Sequence, residues 1–131
     1  MFSATRRNLS VVGFDAELSP VGYDAGLRAL RIAGDAVLVV FVAPPWGDAL
    51  DPVAGLDLRR TTPPVVEIVD LVARTFASRR LVFAAQIHES AVPETIDEVR
   101  SRADWSTVEV YDINAPGQNH GVIVGVVAGR G

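Results

Sequence analysis

Residues 43–48, Ala-Pro-Pro-Trp-Gly-Asp, are the place in this 131-residue chain where residue types and spacing point to specific chemistry. Two successive prolines fix the backbone and remove two N–H donors, so the peptide carbonyls beside them are free to face a ligand. Trp46 adds a large flat surface at the same point. A rigid turn of carbonyl acceptors beside an aromatic plane suits a nucleobase-like ring, held by its face and its amine. The plain alternative is that the prolines only end a strand and that Trp46 belongs to the core.

The element that must aim this corner is the run before it. Residues 36–43 are continuous and rich in β-branched side chains, the pattern of a parallel strand buried on both faces. In open α/β sheets ligands sit outside the carboxyl ends of the strands, and 43–48 would lie at that edge. Further elements follow by the same logic. Residues 9–14 (LSVVGF) read as a strand ending at Asp15, and 23–33 as a helix stopped by Gly34. The polar stretch 44–62 is long for a compact connection, a length associated with functional or mobile loops. A helix near 63–77 begins at the prolines and carries Val65, Ile68, Val69, Val72 and Phe76 as its apolar stripe. Residues 81–85 form a buried strand, 93–102 a charged helix, and 105–113 and 121–128 two strands of a closing hairpin. The class is α/β: one domain over 1–131, with a mainly parallel sheet and a C-terminal antiparallel hairpin.

Composition sets the outer bounds. With 49% apolar residues the chain can bury a real core, and it is not a disordered type. Its longest apolar run is far short of the roughly 18 residues of a membrane span. No signal peptide is visible, so a cytoplasmic protein without membrane contact is the expectation. A net charge of −4 argues against a strongly basic nucleic-acid surface. All twelve basic residues are arginine, so no lysine can serve as a Schiff base or general base. Without cysteine, and with two histidines far apart in sequence, no metal signature appears. Arg59-Arg60 and Arg79-Arg80 are candidates for phosphate contacts, with a plain surface role as the alternative. Asp48 and Asp51 are a candidate carboxylate pair, and His88-Glu89 lies beyond a strand at the same carboxyl edge as the corner. Glycines at 117, 121, 125 and 129 are better explained by close backbone packing than by a phosphate loop.

The stretch APPWGDALDPVAGLDLRRTTPPVVEIVDL resembles the methyl-acceptor region of the class I S-adenosylmethionine-dependent methyltransferases, and is most similar to the RNA cap guanine-N2 (trimethylguanosine synthase) group. The family pattern is a buried strand, the Pro-Pro-Trp-Gly motif, a Phe-Asp-Leu-like triplet (Leu56-Asp57-Leu58 in this chain) and a helix. The strands VEVYDI and GVIVGVVA are similar to its closing hairpin, and the resemblance covers about residues 8–128. It implies a partial Rossmann-like methyltransferase fold, incomplete at its N-terminus. It also implies that Pro44, Pro45 and Trp46 form the catalytic corner, with Trp46 stacked on the base and the proline carbonyls facing the amine. Asp15 and Ala43 fall on the cofactor side, and Gly47, Asp48, His88 and Asn119 complete the substrate side. The implied cofactor is S-adenosylmethionine, and the implied acceptor is an exocyclic amine of a guanine-like base in RNA or a nucleotide. No general base is required, because an oriented amine can attack the sulfonium methyl directly.

The chain departs from that pattern at two points. Ala43 stands where the family has a polar residue that accepts a hydrogen bond from the amine, and losing such a contact costs on the order of 100-fold in rate. No G-x-G-x-x-G-like run occurs anywhere. The spacing from Asp15 to Pro44 fits a chain that starts about two strands into the fold. The family's first strand lies beside the strand carrying the corner, so its absence leaves an open apolar edge. Residues 9–14 are therefore expected to pair with 36–43, or a second copy to cover the edge, or a preceding segment to be missing. Two alternatives stay open for function: a degenerate, non-catalytic binding or assembly module, and, more distantly, a fragment of a DNA amino-methyltransferase.

Overall fold

The computed structural model describes residues 2–13 and 21–129. Its contacts divide the chain into two compact units, Met1–Arg31 and Ile32–Gly131. In the first unit, α1 (Phe2–Val11) and α2 (Tyr23–Ala29) are both helical. The strand expected at 9–14 is not formed over its described residues. Val12 donates to Asn8 O at 3.2 Å, an i to i−4 bond that continues the helix, and Gly13 ends it at φ 69°. An apolar run this short fits a helix as well as a strand, and the i to i−4 bond sets it as helix. Helix α2 is shorter than 23–33: Leu30 closes it by donating to Gly26 O.

The second unit is mixed α/β. Strands β1 (Leu38–Val42), β4 (Leu81–His88), β5 (Trp105–Tyr111) and β6 (His120–Val127) form one sheet in the order β1-β4-β6-β5. β1 runs parallel to β4, whereas the β4/β6 and β6/β5 pairs are antiparallel. The sheet is thus mixed rather than mainly parallel. The short link 112–119 lets β5 and β6 pair antiparallel, and the long crossover from β1 to β4 makes the parallel pair.

That crossover contains α3 (Val65–Thr75), and α4 (Pro93–Arg100) follows β4. Val65, Val69 and Val72 recur at helical spacing and are buried, and Pro64 precedes the first turn, where no donor is needed. These side chains share a core with Phe83, Ala85, Ile87, Val99 and Ile123. Alternation along β4 buries Leu81, Phe83, Ala85 and Ile87 and leaves Val82, Ala84, Gln86 and His88 half-buried on the other face. Gly125 lies opposite Phe83, and a Cβ at 125 would collide with that ring. Close packing therefore accounts for this glycine, as the spacing suggested.

β1 is not buried on both faces. Val42 is buried, but Val39 and Phe41 are 70% and 68% exposed. Among the described residues β1 pairs only with β4, so it is an edge strand. The 44–62 stretch is also more ordered than its composition implied. It forms a 3-10 turn (Gly47–Ala49) and a two-stranded hairpin, β2 (Leu50–Asp51) with β3 (Gly55–Leu56). Asp51 Oδ1 accepts from Val53 and Ala54 N–H at 2.8 and 2.7 Å, an Asx turn that sets the bend. Leu56 and Leu58 are buried, and Leu56 is tied to the chain beyond β4 through Leu56 N–H to Ser90 O and Val92 N–H to Leu56 O. No helix among the described residues is long and apolar enough to cross a membrane.

Candidate site at the Pro-Pro-Trp corner

The corner lies at the carboxyl end of β1, as a strand ending at Val42 requires. Ala43 and Pro45 are exposed and Pro44 is half-buried. Trp46 turns back onto the core, and Ala49 N–H donates to its carbonyl at 2.8 Å. Its indole does not merge into the apolar interior. It meets two imidazoles: His88 edge-on with ring centroids 5.7 Å apart, and His120 tilted at 5.1 Å. The two histidine rings are 6.2 Å apart. One side of Trp46 thus packs on the core, and another faces a polar aromatic cluster.

Strand register builds that cluster. His88 ends β4 and His120 begins β6, and the two are direct antiparallel partners. They lie on the sheet face away from α3 and α4. Both ring nitrogens of His88 are committed. Nδ1 accepts from Ser90 N–H at 3.1 Å and contacts Ser90 Oγ at 2.7 Å, and Nε2 donates to Gly117 O at 3.1 Å. For His120, Gln86 Nε2 donates to Nδ1 at 3.0 Å, which places the ring proton on Nε2. That Nε2–H has no partner among the described residues and is the free donor of the cluster. No group of three or more His, Cys, Asp or Glu able to hold a metal occurs among the described residues.

Asn119 fastens the neighbouring loop. Its Nδ2 donates to Glu89 Oε2 at 2.8 Å, and its Oδ1 accepts from Ile113 N–H at 3.0 Å. Glu89 Oε1 is buried and has no hydrogen-bond partner among the described residues. A buried carboxylate oxygen of this kind is an acceptor that a ligand N–H would satisfy.

Other sequence candidates resolve differently. Gly47 and Asp48 are exposed in the 3-10 turn, and Asp51 is used in its own turn, so the two acids do not form a working pair. The backbone N–H groups of Ala54 and Val53 hold the Asp51 carboxyl below its usual range. Arg59 is bidentate to Asp57, with Nε–Oδ1 at 2.9 Å and Nη2–Oδ2 at 3.0 Å, so part of its guanidinium is already engaged. This pairing lowers the pKa of Asp57 and raises that of Arg59. Arg79 donates to the carbonyls of Ile32 and Ala36 and serves the fold. Asp15 lies outside the described residues.

Sequence reasoning set His120 aside as a lone histidine. The signal that brings it in is the β4/β6 register, which period-2 patterning alone does not give. A cavity of about 330 Å³ lies elsewhere, at the amino end of β4, and is lined by Asp70, Arg74, Phe76, Arg79, Leu81 and Arg102, among others. It includes none of the corner residues.

No protein-family model matches the chain, and neither a curated protein nor a solved structure matches it.

Proposed function

We propose that this chain is a methyltransferase-like protein of Rossmann-like ancestry whose Pro-Pro-Trp corner holds a guanine-like base of an RNA or nucleotide. The observation that carries this reading is the cluster of Trp46, His88 and His120 at the carboxyl ends of β1 and β4. Trp46 supplies the stacking surface. His120 Nε2–H supplies a donor to a ring acceptor, and the carbonyls beside Pro44 and Pro45 receive the exocyclic amine. Restriction of the amine by these contacts is what would prepare it for transfer.

For S-adenosylmethionine itself the described residues fit poorly. Of the two positions assigned to the cofactor side, only Ala43 is described, and its methyl group offers no polar atom to ribose or to the methionine carboxylate and amine. A second reading, favoured by this alanine, is a non-catalytic module that keeps the base-holding corner.

Calorimetry separates the readings. Guanosine monophosphate is expected to bind the chain, and His120→Ala and Trp46→Phe are expected to weaken it. S-adenosylmethionine and S-adenosylhomocysteine are then titrated separately. Heat from the cofactor supports an enzyme, and its absence beside guanine binding supports the module. Absence of guanine-nucleotide binding at millimolar concentration would overturn both.

A further inference from the structure

We infer that the outer edge of β1 is a self-association surface, on which a second copy of this chain pairs antiparallel across a twofold axis. Leu38 N–H donates to Arg80 O at 3.0 Å, which fixes the hydrogen-bonding phase of β1. With Leu38, Val40 and Val42 directed at β4, the N–H and C=O groups of Val37, Val39, Phe41 and Ala43 point away from the sheet. The side chains of the same residues are exposed: Val37 50%, Val39 70%, Phe41 68%.

Two features make a second copy the fitting occupant. First, the strand itself carries none of the sequence devices that blunt natural edges, since residues 36–43 contain no charge, no proline and no bulge. The opposite edge, β5, carries Glu109 and is flanked by Asp104 and Asp112. Second, the register is self-complementary. A twofold axis at Val40 sets Val39 opposite Phe41 and Val37 opposite Ala43 of the other copy, in hydrogen-bonded pairs that use every outward group. Each Val39–Phe41 pair is a β-branched residue against an aromatic one, a favourable cross-strand combination. A twofold axis perpendicular to the strands makes the two copies run antiparallel, and such an isologous contact closes at two copies. It also sets Val37 of one copy beside Ala43 of the other, at the entrance to the corner.

The contact is small, about 24 Å long by roughly 10 Å deep on each copy. A reversible, concentration-dependent dimer is therefore expected, not a permanent one. Residues 37–43 contain no prolines to interrupt the ladder, and Pro44 falls just beyond it.

Sedimentation velocity of the whole chain tests the dimer, which should be present at about 100 µM and dissociate on dilution. Phe41→Lys should raise the dissociation constant at least about tenfold while leaving far-UV circular dichroism unchanged, and Glu109→Lys on the other edge should leave it unaltered. Because the chain lacks cysteine, register can be tested directly. Val39→Cys mixed with Phe41→Cys should form disulfide-linked dimers on mild oxidation, since hydrogen-bonded partners place their Cα atoms about 5.5 Å apart. Either variant alone should cross-link poorly. A monomer throughout the concentration range, a dimer indifferent to Phe41→Lys, or cross-linking without preference for the mixed pair would overturn the proposal.

Discussion

The two faces of β4 belong to one strand and behave as different materials. Toward α3 and α4 it presents Leu81, Phe83, Ala85 and Ile87, all at most 2% exposed. Toward the other side it presents Val82, Ala84, Gln86 and His88, which no helix of the same unit covers. The first face carries the stability of the unit. The second changes along its length: apolar beside Val39 and Phe41, then polar at Gln86 and His88, where His120 and Trp46 gather. The polar cluster thus gathers at positions that the apolar core does not use.

The sharpest way to break this comparison is to cut into each face. Phe83→Ala removes a fully buried ring and should lower unfolding free energy by about 3–5 kcal/mol in urea titration. A loss under about 1 kcal/mol would mean that the covered face is not the core. Next in size, Gly125→Val drives a side chain into Phe83 and should cost about 1–3 kcal/mol. Combining it with Phe83→Leu should recover part of that loss, and strict additivity would show that the two positions do not share space.

A smaller effect is expected away from both faces, at the Asp57–Arg59 pair. Asp57 has a lowered pKa in the folded chain because Arg59 pairs with its carboxylate. Its stabilising contribution is therefore present above the unfolded-state pKa and is lost as pH falls through the lowered folded value. Asp57→Asn should lower stability at neutral pH and converge with the parent in acid, so that the acid side of the stability profile flattens. Smallest of all, Val124→Thr on the open face should change stability by less than about 0.5 kcal/mol. A cost comparable to that of a core substitution would mean that this face is covered, and the contrast would fail.

How legible each region was follows from the range of the interactions that define it. Helix α3 announces itself through local periodicity, because Val65, Val69 and Val72 meet the core at regular spacing, and the apolar run 81–85 marks the first part of β4. The continuation of β4 to His88 reads as loop, because Gln86 and His88 are polar. Residues 9–13 misled because a short apolar run fits a strand or a helix, and the bond from Val12 to Asn8 decided for helix. β1 misled differently: its uniform apolar character matches a strand buried on both faces, and exposed Val39 and Phe41 carry no local mark of their position at an edge. The order of 44–62 depends on Leu56 meeting Ser90 and Val92, a contact between distant segments that no window of sequence contains. The corner was visible because proline, tryptophan and glycine act through their own covalent geometry. Its histidine partners were not, because His88 and His120 meet only through strand register.

The central claim is that Trp46 and its histidines hold a guanine-like ring, and tryptophan fluorescence addresses it most directly. The chain has two tryptophans, and Trp105 is 57% exposed on the edge strand. Trp105→Phe therefore leaves Trp46 as the only indole reporter. Titration with guanosine monophosphate should quench this signal saturably, and His120→Ala should shift the curve to higher concentration. An emission that stays constant through millimolar nucleotide, after correction for absorption, would contradict the account.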